Sequence, residues 1–467
     1  MAQGFSREPG THGPLEEVPK RAARKITLWA AAIALGGFLF GFDTGVISGA
    51  LLFIREDFAL SSLQQSSVVS VLLIGAVVGS MLSGKLADRI GRRRTLGLVG
   101  LVFLGGTAVV TFADGFLMLL TGRIVLGLSV GAASATVPVY LSEISPPAIR
   151  GRLLTLNQLM ITVGILVAYL VNLAFSASEQ WRAMFAVGAV PAALLVAATL
   201  WLLPESPQWL ITHGRPEVAH RGITALIGKD AADEIVQRRA AEERADREKS
   251  AGREKLLAPD VRPALVIGLT LAAVQQLGGI NTIIYYAPTI IEQTGLSSSN
   301  SILYSVCIGV INLVMTLVAL RLVDRAGRRP MVLVSLALMA VSVFLLGLSF
   351  VVELGSGLTL LFMVVYIAAY AGGLGPVFWT LIGEIFPPSV RAEGSSVSTA
   401  VNWVSNFAVS LTFLPLAAAL GQGETFWIFA AICVLAFLFV ARYLPETKGR
   451  DADEIDRALH QRFRSRQ

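Results

Sequence analysis

Twelve apolar stretches recur along the 467 residues of this chain, at roughly 26–54, 67–87, 95–112, 116–140, 153–175, 184–203, 264–291, 302–323, 331–352, 358–385, 395–420 and 425–444. A helix of ~20 apolar residues, rising ~1.5 Å per residue, crosses the ~30 Å hydrocarbon core of a bilayer. Twelve such runs predict an all-α membrane protein. Composition agrees: 54% of residues are hydrophobic and 15% charged, where a soluble domain carries ~25% charged residues. The 44 glycines are too dispersed for a linker. They suit helices that approach one another closely in lipid.

A net charge of +6 and a pI near 9.5 would suggest nucleic acid in a soluble chain, but here the basic residues flank apolar runs and point to topology. Loops on one side hold Lys85, Arg89, Arg92, Arg93 and Arg94, then Arg150 and Arg152, then Arg321, Arg325, Arg328 and Arg329, then Arg391. The alternate loops hold little beyond Arg55 and Arg182. Both termini are therefore expected in the cytoplasm. Residues 1–25, polar and carrying Pro9, Gly10, Gly13, Pro14 and Pro19, read as a disordered tail. The apolar run behind them is too long for a signal peptide. Residues 204–262 form a charged segment whose interleaved acids and bases, from Arg238 to Lys249, read as a solvated helical linker. Cys307 and Cys433 fall inside apolar runs, so neither a disulfide framework nor a metal site is expected.

The chain repeats itself. Glu143-Ile144-Ser145-Pro146-Pro147-Ala148-Ile149-Arg150 matches Glu384-Ile385-Phe386-Pro387-Pro388-Ser389-Val390-Arg391 at an offset of 241 residues, and Leu203-Pro204-Glu205 matches Leu444-Pro445-Glu446 at the same offset. Asp88-Arg89-Ile90-Gly91-Arg92-Arg93 matches Asp324-Arg325-Ala326-Gly327-Arg328-Arg329 at 236. Two six-helix bundles follow, at 26–203 and 263–444, with a cytoplasmic tail at 445–467. Repeats of this kind hold a ligand near the bilayer midplane and rock about it.

Asp43 stands in the middle of the first apolar run, within Gly37-Phe38-Leu39-Phe40-Gly41-Phe42-Asp43-Thr44-Gly45-Val46-Ile47-Ser48-Gly49. An ionised group at such depth costs at least ~2.5 kcal/mol unless it faces a partner or a water-filled cavity. An acid reaching out to headgroups is the plainer reading, but a long apolar stretch separates Asp43 from Arg55. Arg123, in the outer part of the fourth run, lies at comparable depth and is the expected counter-ion.

Several motifs together give a family resemblance over nearly the whole chain. Gly84-Lys85-Leu86-Ala87-Asp88-Arg89-Ile90-Gly91-Arg92-Arg93 resembles a signature of the major facilitator superfamily. Pro138-Val139-Tyr140-Leu141-Ser142-Glu143-Ile144 through Arg150-Gly151, Pro204-Glu205-Ser206-Pro207, Gln275-Gln276-Leu277-Gly278-Gly279-Ile280-Asn281 and Pro445-Glu446-Thr447-Lys448-Gly449-Arg450 resemble its sugar porter branch. Gln208 departs from it, where the family usually carries arginine. The resemblance implies twelve transmembrane helices in two pseudo-symmetric bundles that import a monosaccharide, glucose or another hexose, by alternating access and proton symport. Proton-coupled relatives resemble this chain in having aspartate at the Asp43 position, while passive ones commonly have asparagine. A uniporter is the rival reading, and a membrane sugar sensor a more remote one.

Sugar hydroxyls both donate and accept, so neutral amides suit them. Gln158, Gln275, Gln276, Asn281, Asn312 and Asn402 all lie within apolar runs. Hydrogen bonding between helices explains any one of them, but less easily the close grouping of Gln275, Gln276 and Asn281. All match the family's sugar-contacting amides. Trp379 and Trp403 resemble its pocket tryptophans, with core packing as the alternative. Gly375 and Pro376 should interrupt the tenth helix and let it bend as a gate, and Tyr285 with Tyr286 resembles the outer gate. Asp88, Arg92, Arg93, Glu143, Arg150 and Glu205, with Asp324, Arg328, Arg329, Glu384, Arg391 and Glu446, resemble a latch on the cytoplasmic side. The four histidines all fall outside the apolar runs and no phosphate-binding glycine loop is present. An enzyme, a cofactor and ATP-driven transport are therefore not expected. The absence of any Asn-x-Ser/Thr sequon suggests a bacterial inner membrane, with the protein acting as a monomer.

Overall fold

The computed structural model describes residues 20–229, 232–233, 256–387 and 389–464. The charged run from Arg238 to Lys249 and residues 1–19 lie outside them. Twelve helical spans are found among the described residues: Arg21–Asp57, Ser62–Ile90, Arg92–Thr111, Phe116–Ile144, Ile149–Ser176, Trp181–Trp201, Arg262–Glu292, Ser298–Val323, Arg328–Val351, Ser356–Glu384, Glu393–Leu420 and Gln422–Tyr443, here spans 1 to 12. Each matches one apolar run with its ends moved by a few residues. The first helix starts at Lys20, so Lys20 to Lys25, expected in the tail, form its opening turns. Pro19 is the last breaker before it, and alanines and basic residues are good helix formers. An even number of spans puts the two ends of the helical array on one face, the terminal face, together with the segment after span 6. The opposite face is the distal one.

Glycine sets the close approaches within the first half. Gly37, Gly41, Gly45 and Gly49 lie along span 1 where it meets span 5, and a Cβ on Gly41 would fall 1.9 Å from the Ile161 carbonyl oxygen. Spans 2 and 4 meet the same way: a Cβ on Gly127 would lie 2.0 Å from the Leu72 oxygen, and one on Gly131 1.9 Å from that of Ala76. Any larger side chain would part these helices. The two halves meet along three seams, span 2 on span 11, span 5 on span 8, and span 1 on the distal part of span 7.

Spans 7 and 10 are discontinuous. Span 7 consists of helices Arg262–Leu277 and Ile280–Glu292. At its break Gly279 has φ +95°, and a Cβ there would also press on the Phe429 ring at 2.7 Å, so glycine is required. Span 10 consists of Ser356–Ala371 and Leu374–Glu384. Its break thus falls at Gly372–Gly373 and not at Gly375–Pro376. Proline is tolerated in a first helical turn, where its missing N–H is unpaired anyway, while its ring excludes helix one turn upstream. Ser335 Oγ accepts from the Leu374 N–H at 3.1 Å and starts the second segment.

Candidate functional site

In the first half, the site is a charged pair. Arg123 Nη1 donates to both carboxylate oxygens of Asp43, at 2.9 and 3.0 Å, and the two side chains are 1% and 2% exposed. Arg123 Nε donates to the Val68 carbonyl of span 2 at 3.1 Å, and the guanidinium lies 5.9 Å from the Phe185 ring centroid. Spans 1, 2 and 4 are thereby tied at one point. Glycine packing of span 1 against span 5 fixes the acid's position. The expected partnership is the one found.

The second half has a neutral cluster instead. Gln276 Nε2 donates to Asn402 Oδ1 at 3.0 Å, Asn402 Nδ2 to Gln275 Oε1 at 2.5 Å, and Asn281 Nδ2 to Gln276 Oε1 at 2.6 Å. The helix breaks are stapled reciprocally. Gln275 Nε2 of span 7 donates to the Gly375 carbonyl of span 10 at 3.2 Å, and Tyr366 OH of span 10 donates to the Gly278 carbonyl of span 7 at 2.7 Å. A side chain from each discontinuous span thus holds the backbone of the other beside its break. Trp403, beside Asn402, is buried and its ring centroid lies 5.8 Å from that of Phe40 in span 1, an aromatic contact between the halves. Among the described residues, no side-chain hydrogen bond joins Gln158 or Asn312 to this cluster. Trp379 also stands apart: it is 45% exposed and packs edge-on against Phe378.

The distal face is closed between the halves. Tyr285 and Tyr286 are buried, and Tyr286 OH donates to the Ser410 carbonyl at 2.8 Å. Tyr169 OH of span 5 donates to the Ile284 carbonyl of span 7 at 2.9 Å. Arg55 of span 1 pairs with Glu292 of span 7 at 2.7 Å. Tyr169, Phe40 and Glu292 are the residues that sequence reasoning missed. One signal was legible, because Pro288 inside span 7 must leave the carbonyl four residues earlier without its helical donor.

On the terminal face the two halves build the same device twice. Arg92 reaches Glu143 through Nε at 3.0 Å and Nη2 at 3.1 Å, and also pairs with Asp88 at 2.9 Å. Ser206 Oγ donates to Glu143 at 2.5 Å. Arg328 pairs with Glu384 at 3.0 Å, and Thr447 Oγ1 donates to Glu384 at 2.6 Å. Glu205 and Glu446 cap helices. Glu205 accepts from the backbone N–H of Arg92 at 2.9 Å, Arg93 at 3.2 Å and Ser206 at 2.9 Å. Glu446 accepts from those of Arg328, Arg329, Thr447 and Lys448. Gly91 and Gly327, at φ +97° and +88°, give the carboxylates room, since a Cβ at either would strike the acid. Burial works to raise the Glu446 carboxyl, but the four N–H donors outweigh it and hold it below its ordinary value. Arg150 and Arg391 turn back onto the carbonyls of Ser145 and Phe386, and the Asp324 side chain lies outside the described residues. The ion pairs described on this face each join residues of one half, so they do not bridge the halves in this conformation.

A family model described as "Sugar (and other) transporter" matches residues 29–459. The chain belongs to the sugar porter family. This porter is 42% identical over 453 residues to the "Probable metabolite transport protein CsbC" of Bacillus subtilis, covering 96% of this chain and 97% of that one. It is 37% identical to the "Galactose-proton symporter" of Escherichia coli, covering 94% and 96%. An inward-open structure of the xylose transporter XylE from E. coli superposes with a TM-score of 0.82 at 31% identity, covering 92% of this chain and 99% of that one. The porter has the major facilitator fold, is a multi-pass membrane protein, and is a transporter and not an enzyme.

Proposed function

We propose that the porter imports a monosaccharide, glucose or another hexose, by proton symport with alternating access. The observation that carries this reading is the division of labour between its halves: a buried Asp43–Arg123 pair in one and a neutral amide cluster in the other. The sugar is held over Gln275, Gln276, Asn281 and Asn402, with Gln158 and Asn312 free to turn toward it and Trp403 offering an aromatic face. Trp379 offers a second aromatic face once the halves rearrange. Asp43 takes up a proton when rearrangement parts it from Arg123 and releases it when the pair re-forms, because a guanidinium within bonding distance favours the carboxylate. Tyr285, Tyr286 and the break near Gly375 and Pro376 gate the two routes, and the paired charge networks of the terminal face bias the balance of states. Kinship with a galactose-proton symporter supports both the hexose and the coupling. The terminal face, rich in arginine, is cytoplasmic in a bacterial inner membrane, and the monomer is the working unit.

Uptake of a labelled sugar panel into proteoliposomes, with and without an imposed pH gradient, tests this. Accumulation of one hexose above equilibrium, driven by the gradient and accompanied by proton entry, is the expected result. Gradient-independent equilibration would make the protein a uniporter.

A further inference from the structure

Two bonds described on the distal face cross between the halves. The first follows from proline. Pro288 has no N–H to give the Ile284 carbonyl, which is therefore orphaned inside span 7. Tyr169, 1% exposed on span 5 of the other half, donates its hydroxyl to that oxygen at 2.9 Å. The second is the Arg55–Glu292 pair at 2.7 Å, in which Glu292 is steadied by Ser298 Oγ at 2.8 Å. Beside Arg55 the seam is not filled by side chains. A cavity of about 270 Å³, lined by Arg55, Gln65, Thr289, Gln293 and Gln422 among others, separates the halves there. Beside Arg55, discrete bonds and not side-chain packing close the rim. On the terminal face, by contrast, the described ion pairs stay within each half.

We infer that Tyr169 and the Arg55–Glu292 pair form a two-point latch that holds the distal face shut and breaks once in every transport cycle. The latch rests on the alternating-access reading above. Pro288 supplies the receptor for it: the same residue that weakens span 7 exposes the carbonyl that the opposite half grips. A tyrosine hydroxyl on a backbone oxygen demands one register of span 5 against span 7, so the bond forms only when the face is fully closed.

The test uses the full chain in proteoliposomes with Cys307 and Cys433 replaced by serine and one reporter, Ser66→Cys. Ser66 is fully buried on span 2, and an impermeant maleimide added on the distal side reads its exposure. Tyr169→Phe and Arg55→Gln should each raise the labelling rate, by roughly five-fold and about two- to five-fold, and their combination should multiply. Pro288→Ala, which returns an N–H to the Ile284 carbonyl, should act in the direction of Tyr169→Phe. The charge swap Arg55→Glu with Glu292→Arg should return labelling toward the parent. Unchanged rates in both single variants would overturn the latch. A parent reporter insensitive to D-glucose and to a pH gradient would instead overturn alternating access itself, whatever the variants do.

Discussion

Span 1 and span 7 hold corresponding places in the two halves, with Asp43 set against Asn281 at an offset of 238 residues, yet they are built oppositely. Span 1 lies in one unbroken helix of 38 residues. Span 7 is interrupted at Gly278–Gly279. A buried charge tolerates little freedom, because any displacement from its partner exposes the full cost of desolvation. Glycine contacts with span 5 give span 1 that rigidity. Amides gain from the reverse, since a broken helix frees donors and acceptors that regroup around a ligand at small cost. On the proposed function, corresponding helices serve as a fixed electrode in one half and an adaptable hydrogen-bonding surface in the other.

The largest effect should come from breaking the charged side. Arg123→Leu strands Asp43 and should cost ~3–5 kcal/mol, read as loss of folded protein in a thermal melt; adding Asp43→Asn should restore most of it. Asp43→Asn alone should keep the fold, sugar binding and equilibrative exchange while abolishing accumulation driven by a pH gradient in proteoliposomes. If that variant still concentrates sugar, the electrode has been assigned to the wrong residue.

On the neutral side, Gln276→Ala or Asn281→Ala should weaken sugar binding about ten-fold, the equivalent of ~1.4 kcal/mol for a lost polar contact, with the protein still folded. Calorimetric titration of the purified variants checks this, and equal affinities would move the sugar elsewhere. Removing Gln158 should have a smaller effect that appears only with sugar present, as it makes no described side-chain hydrogen bond without it.

The terminal face offers a finer contrast. Glu143 is 4% exposed, whereas Glu384 is 29% exposed. Glu143→Gln should therefore destabilise by ~1–3 kcal/mol, and Glu384→Gln by under ~1 kcal/mol, compared by thermal unfolding. Glu446 gives the smallest effect, and it depends on pH. Its carboxyl is held below the ordinary value of 4.5 in the folded protein, so its contribution is complete above that value and is lost as pH falls through the lower folded one. Glu446→Gln should lower stability slightly at neutral pH, flatten the acid limb of the stability curve, and leave the acid end, where the parent's carboxyl is already protonated, nearly unaffected.

The twelve spans and the duplication were legible because hydrophobicity along a chain is a local property and the repeated motifs are intact. The Asp43–Arg123 pair could be read from depth alone, since lipid leaves a charge so few options. Gln275, Gln276, Asn281 and Asn402 came together as one cluster, but Gln158, Asn312 and Trp379 did not join it in this conformation, because a position along a span does not say which neighbours the opposite half presents to it. Tyr169 was not legible: a tyrosine in an apolar run looks like packing until its neighbour across the seam is known. The break in span 10 was placed one step late for a general reason. Proline acts on the turn before it, so the helix fails at Gly372–Gly373 while Pro376 itself sits comfortably inside the next segment.

Glu205 and Glu446, which clasp the starts of spans 3 and 9, also bear on how the chain is made. Arg92, Arg93, Glu143 and Ser206, the residues bonded in the first clasp, all precede span 7. A ribosome that has released residue 206 has supplied the whole of that network, while Arg328 and Glu384 are still untranslated. The second clasp closes as late as Lys448. Order of synthesis and order of closure coincide, so each bundle can finish before it must dock with the other, which limits the exposure of half-built helices to wrong partners.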